Sequence, residues 1–119
     1  MKIIKREKQN KIQSDTCGLL LEVINRNDFP FGIVLSEDIK STEAHYRKKA
    51  KKCYWMLEGW VDVVIEDVKT GKTKEVRLNE GDLVTFEPYE KHKVTKGSKN
   101  NKMVTITSPA WHIEDIVKD

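Results

Sequence analysis

Apolar residues in this chain recur in short runs with a period of two rather than 3.6, and turn-forming residues bound each run. The pattern predicts strands over Leu19–Ile24, Phe31–Leu35, Cys53–Leu57, Trp60–Ile65, Glu75–Leu78, Leu83–Phe86, His92–Thr95 and Met103–Thr107. Short strands this closely spaced predict an all-β domain closed or sandwiched from antiparallel sheet, not alternating βα units. Turns are predicted at Glu58-Gly59, at Val68-Lys69-Thr70-Gly71-Lys72, at Asn79-Glu80-Gly81-Asp82, and at Asn25-Arg26-Asn27-Asp28 leading into Phe29-Pro30. Ser41–Lys52 carries helix formers but no apolar stripe, so it reads as a charged loop or strand edge. After Pro109, His112–Val117 predicts one helical turn that packs Ile113, Ile116 and Val117 on the sheet, as a cover or a dimer contact. No internal repeat or Pro/Gly/Ser-rich linker divides the chain, which reads as one domain over residues 1–119.

Composition narrows the function classes. A chain of 119 residues supports one core, and its three Trp, three Tyr and three Phe can anchor it despite a hydrophobic content of 38%. With 22 basic against 19 acidic residues the net charge is only +3, too small to argue for a nucleic-acid partner despite the Lys-rich segment before Cys53. No window approaches the ~20 apolar residues of a membrane span, and Met1-Lys2-Ile3-Ile4-Lys5-Arg6 lacks a signal-peptide core. The expectation is a soluble, cytoplasmic protein with no membrane partner. Cys17 and Cys53 form no CxxC pair and read as small buried hydrophobes rather than a disulfide, ligands or nucleophiles.

Two stretches carry a more specific signal. His45-x-Arg47-x4-Lys52-x6-Gly59, followed by Gly81-x5-Glu87-Pro88-x3-His92, resembles the two signature motifs of the cupin family. Cys53-Tyr54-Trp55-Met56-Leu57-Glu58-Gly59 and Glu80-Gly81-Asp82-Leu83-Val84 are similar to the segments that close the first motif and open the second. The resemblance runs from Phe31 to Pro109. It implies a single-domain jelly-roll β-barrel, the double-stranded β-helix, with its core over about residues 31–109 and the N-terminal strands and C-terminal tail packed on it. It also implies a homodimer.

The departures bear on function. The family's first motif is His-x-His, three or four residues, Glu, six residues, Gly; here Arg47 replaces the second histidine and Lys52 the glutamate. In the second motif Glu87 holds the proline position, Tyr89 the glycine position and Lys96 the asparagine position. Of the family's metal ligands only His45 and His92 remain. Two cations in place of lone-pair donors repel a divalent ion, so no metal cofactor is expected; weak zinc or nickel binding by the two histidines is the minor alternative.

The resemblance places His45 and Arg47 on one inward face and Lys52, Tyr54 and Met56 on another, joined by His92, with Val94 and Met56 as apolar wall. Arg47 offers a planar fork for carboxylate or phosphate, Lys52 a point charge and Tyr54 a donor beside an apolar ring. This describes a pocket for an anionic small molecule such as a sugar acid, sugar phosphate or nucleotide sugar. The competing view of a charge run as solvated surface suits Lys48, Lys49 and Lys51, and either Arg47 or Lys52 can snorkel outward. Cys53 and Trp55 fall on the outer face; Trp60 and Trp111 read as core or interface anchors and His112 as a surface or packing residue. The alternative function is a cupin isomerase or epimerase with His45 or His92 as general base and Tyr54 as acid. A metal-dependent dioxygenase or decarboxylase, also found in the family, is opposed by Arg47 and Lys52.

Overall fold

The structure is a computed structural model and describes residues 1–14, 18–24, 29–109 and 115–118. After a single 3-10 turn at Arg6–Lys8, its elements are the strands β1 (Asn10–Ser14), β2 (Gly18–Ile24), β3 (Gly32–Glu37), β4 (Tyr46–Arg47), β5 (Lys51–Glu58), β6 (Val61–Asp67), β7 (Thr73–Leu78), β8 (Leu83–Phe86), β9 (Glu90–Gly97), β10 (Lys102–Ser108) and β11 (Ile116–Val117). Among the described residues no helix is long and apolar enough to cross a membrane.

The strands form a six-stranded antiparallel sheet in the order β1-β2-β3-β10-β5-β8 and a three-stranded sheet in the order β7-β6-β9. Paired strands β11 and β4 extend the smaller sheet, because His45, just before β4, bridges His92 in β9. Consecutive strands β5 and β6 lie in different sheets. The crossing is made at Gly59, whose φ of +72° suits glycine, and a Cβ there would press on Ser98 and Asn101. The predicted turn before β7 closes through Asp67 and Lys72, with Gly71 at φ +75°; the turn before β8 closes through Asn79 and Asp82.

Alternation along each strand sets the core. In β5 the inward side chains Lys52, Tyr54 and Met56 are buried while Lys51, Trp55 and Glu58 are exposed. Tyr54, Met56, Phe86 and Met103 of the larger sheet interlock with Val61, Val63, Leu78 and Val94 of the smaller one. Asn101 closes one end of this sandwich, accepting from the backbone N–H of Ile39 and donating to the carbonyls of Ile39 and Ser98.

All eight predicted strands are present, and three more join them. The tail departs from expectation: Ile116 and Val117 form a strand rather than a helical turn, because their backbone pairs with Arg47 and Tyr46. Cys53 is half-buried on the outer face, not a core residue, since the core side of β5 is taken by its neighbours Lys52 and Tyr54. Trp60 is half-buried, with the Arg77 guanidinium 3.8 Å from its ring centroid, so it anchors a surface cluster. The readings of Cys17, Trp111, His112, Ile113 and the turn at residues 25–28 fall outside the described residues.

Candidate functional site

Opposition across the strands brings the two histidines together. His45 and His92 exchange both backbone hydrogen bonds, at 3.1 and 2.9 Å, and residues paired this way project from the same face. Their rings lie 4.6 Å apart inside the sandwich. Phe86 stacks on His92 at 4.0 Å between centroids and Tyr54 meets it edge-on at 5.6 Å, so the ring is packed on two sides. Lys52 enters from the opposite sheet. Its Nζ lies 2.9 Å from His45 Nε2 and 3.2 Å from His92 Nε2, and 5.0 Å from the centroid of Tyr54.

Backbone carbonyls determine the proton positions. His45 Nδ1 is 3.0 Å from the carbonyl oxygen of Glu43, and His92 Nδ1 is 3.0 Å from that of Glu90. A carbonyl only accepts, so each Nδ1 carries the proton and donates, leaving each Nε2 lone pair turned inward. The Lys52 ammonium donates to both. Burial, followed by the adjacent Lys52 charge, lowers His45 to about 4. Burial lowers His92 to about 2, with Lys52 and His45 adding to it. Both imidazoles are therefore neutral at pH 7.

Arg47 completes the polar interior. Its residue is only 4% exposed, yet Nε and Nη1 have no hydrogen-bond partner among the described residues. Burial lowers its pKa, opposed chiefly by the Asp115 carboxylate. Asp115 does not discharge those orphan donors, because its oxygens accept the backbone N–H groups of Lys48, Lys49 and Ala50 at 3.1, 2.8 and 3.1 Å. The Arg47 backbone is held on both sides, by β11 and by the N–H of Tyr89 at 2.8 Å. Tyr89 adopts φ +68° at the position where the resembling family keeps glycine, and its ring packs 5.5 Å from that of Tyr46.

The structure thus brings together His45, Arg47, Lys52, Tyr54 and His92. Met56 is fully buried in the apolar cluster, as is Val94. Sequence reasoning did not single out Asp115 or Phe86. The i, i+2 relation of Arg47 to His45 in the motif could have flagged a need for a carboxylate nearby, but nothing local points 65 or more residues down the chain to Asp115.

The donor set does not fit a divalent metal. Among the described residues no group of three or more His, Cys, Asp or Glu is placed to hold one. The two lone pairs that converge are already engaged by an ammonium, and Arg47 and Lys52 add positive charge where, among the described residues, no carboxylate joins the imidazoles as a ligand.

No family model matches the chain, and no curated protein matches it. Solved structures do. Pac13 from Streptomyces, a nucleoside dehydratase, aligns in a uridine-bound form over 100% of this chain and 91% of its own, with a TM-score of 0.81 at 14% identity. Oxalate decarboxylase from Bacillus subtilis aligns over 95% of this chain with a TM-score of 0.79 at 16% identity. CapF aligns over 92% with a TM-score of 0.77 at 11% identity. The chain spans only 30% and 33% of those two longer proteins. At such identities the likeness is one of architecture, and it establishes the cupin fold, a jelly-roll barrel, across nearly the whole chain.

Proposed function

We propose that this cupin-fold barrel binds a small anionic molecule at Arg47 without a metal ion, the ligand being a sugar acid, a sugar phosphate or a nucleotide-like compound. The observation that carries this reading is the buried guanidinium, whose Nε and Nη1 have no hydrogen-bond partner among the described residues. An arginine withdrawn from water and left unsatisfied costs several kcal/mol, and a carboxylate or phosphate reduces that cost by accepting charge-assisted hydrogen bonds from the guanidinium. Tyr54 and Lys52 are the neighbouring polar groups for the remainder of such a ligand. The full-length likeness to a protein that holds uridine brings nucleosides and their phosphates into the set to be tested.

A thermal-shift screen of sugar acids, sugar phosphates, nucleotides and nucleotide sugars tests this. A ligand at about a hundred times its Kd adds about 2.7 kcal/mol, a rise in Tm on the order of 10 °C for a domain of this size. The rise should vanish in Arg47→Ala. No response in any class, or a response indifferent to Arg47, would sink the reading.

A second reading is an enzyme that moves a proton on such a ligand, as an isomerase, an epimerase or a dehydratase. The specific observation in its favour is the pair of neutral imidazoles whose Nε2 atoms face inward beside an ammonium and Tyr54. Turnover of the best ligand that is lost in both His45→Ala and His92→Ala, with binding retained, would separate enzyme from binder.

A further inference from the structure

Two features of the barrel interior are independent of any anion. First, His45 and His92 are each fixed by a backbone carbonyl at Nδ1, the outer-shell arrangement that readies an imidazole to ligate through Nε2. Second, both Nε2 atoms converge on one point, and that point is occupied by Lys52 Nζ at 2.9 and 3.2 Å. These are hydrogen-bond distances, about 1 Å longer than a zinc–imidazole bond, as expected when an ammonium rather than a metal sits between two lone pairs. We propose that Lys52 is the resident cation of a two-imidazole site, filling it from within the chain and thereby deciding that the barrel holds no transition metal.

The geometry gives the residue its role. Lys52 is 7% exposed on the inward face of β5, flanked two residues on by Tyr54, so its ammonium is delivered by strand alternation and not by a flexible loop. Zinc or nickel would have to displace it and then find, among the described residues, only two protein ligands, below the three or four that hold such ions. Arg47, close enough to lower both histidine pKa values, adds a second repulsion. The site chemistry is therefore governed by a single side chain. Lys52→Glu removes the ammonium and supplies a carboxylate beside two ready imidazoles, which is a donor set for a divalent transition metal.

Titration of tag-free protein with zinc chloride and nickel chloride, followed by calorimetry and by 15N histidine NMR, tests this. Wild type should show no saturable binding that perturbs His45 or His92. Lys52→Glu should bind one saturable equivalent, at least about 100-fold more tightly than any residual wild-type binding, and lose it on adding His92→Ala. One tight equivalent on the wild-type imidazoles would overturn the proposal, as would a folded Lys52→Glu protein with no gain in affinity. If that variant does not fold, wild-type NMR at pH 7 decides. Both rings should be Nδ1–H tautomers with hydrogen-bonded Nε2 atoms, and Lys52→Met should remove that bond from both. Nε2–H tautomers or imidazolium rings in the wild type would contradict it.

Discussion

Lowering the pH from 7 to 5 should destabilise this protein through His45 and His92. In the folded state burial and the Lys52 charge hold them at about 4 and about 2. In the unfolded chain both return to the ordinary histidine value near 6.5. Because the unfolded state binds more protons in this window, stability falls as pH falls. The loss begins near pH 6.5 and continues down to about 4 for His45 and about 2 for His92. Integrating the proton uptake from pH 7 to pH 5 gives about 2 kcal/mol for each imidazole and about 4 kcal/mol for the pair. A domain this size has about 5–15 kcal/mol in total, so the effect is large. Urea denaturation followed by tryptophan fluorescence at the two pH values reads it directly, with His45→Gln/His92→Gln as the reference that carries no charge in either state. The wild type should lose more than the reference by about the worked amount. A difference under about 1 kcal/mol would mean that the folded rings take up protons above pH 5, and would refute their being held well below the ordinary histidine value. Lys52→Met should raise both histidine pKa values, since it removes the positive charge beside them.

Two further outcomes follow from parts of the fold outside the histidine cluster. Asp115→Ala removes the acceptor for three backbone N–H groups beside Arg47; it should cost about 1–2 kcal/mol in urea denaturation and weaken anion binding, because the strand carrying Arg47 loses its tether. On the outer face of the larger sheet, register aligns Leu35, Val104, Trp55 and Leu83 across four strands, with Trp55 43% and Leu83 54% exposed. We propose this face as the homodimer contact; light scattering should report a dimer that Trp55→Glu converts to monomer, and a monomeric wild type would dismiss it.

The strands that the sequence pattern announces are those with several apolar positions at period two, such as Cys53–Leu57 and Trp60–Ile65. The three it does not announce have no run of alternating apolar positions to display. β1 has Ile12 as its one large hydrophobe and lies exposed at the sheet edge, while β4 and β11 are two residues each, made by pairing with one another. Alternation together with the motif spacing sufficed to turn Arg47, Lys52, Tyr54 and His92 inward, and all four are buried. Local pattern does not encode what those side chains then do. The bonds from Lys52 to both imidazoles join residues 7 and 40 apart, and Asp115 reaches the Lys48–Ala50 backbone from more than 60 residues away. Such partnerships depend on sheet order, which composition and periodicity do not determine.

An anion bound at Arg47 engages donors that have no partner among the described residues. The direct measurement is the 15N NMR resonance of Arg47 Nε–H, assigned by its loss in Arg47→Lys, during titration with the best anionic ligand from the thermal screen. This resonance should move strongly downfield in proton shift and saturate with the same Kd as calorimetry, as a newly formed charge-assisted hydrogen bond requires. A resonance that stays in place while binding saturates would put the ligand elsewhere and contradict the account.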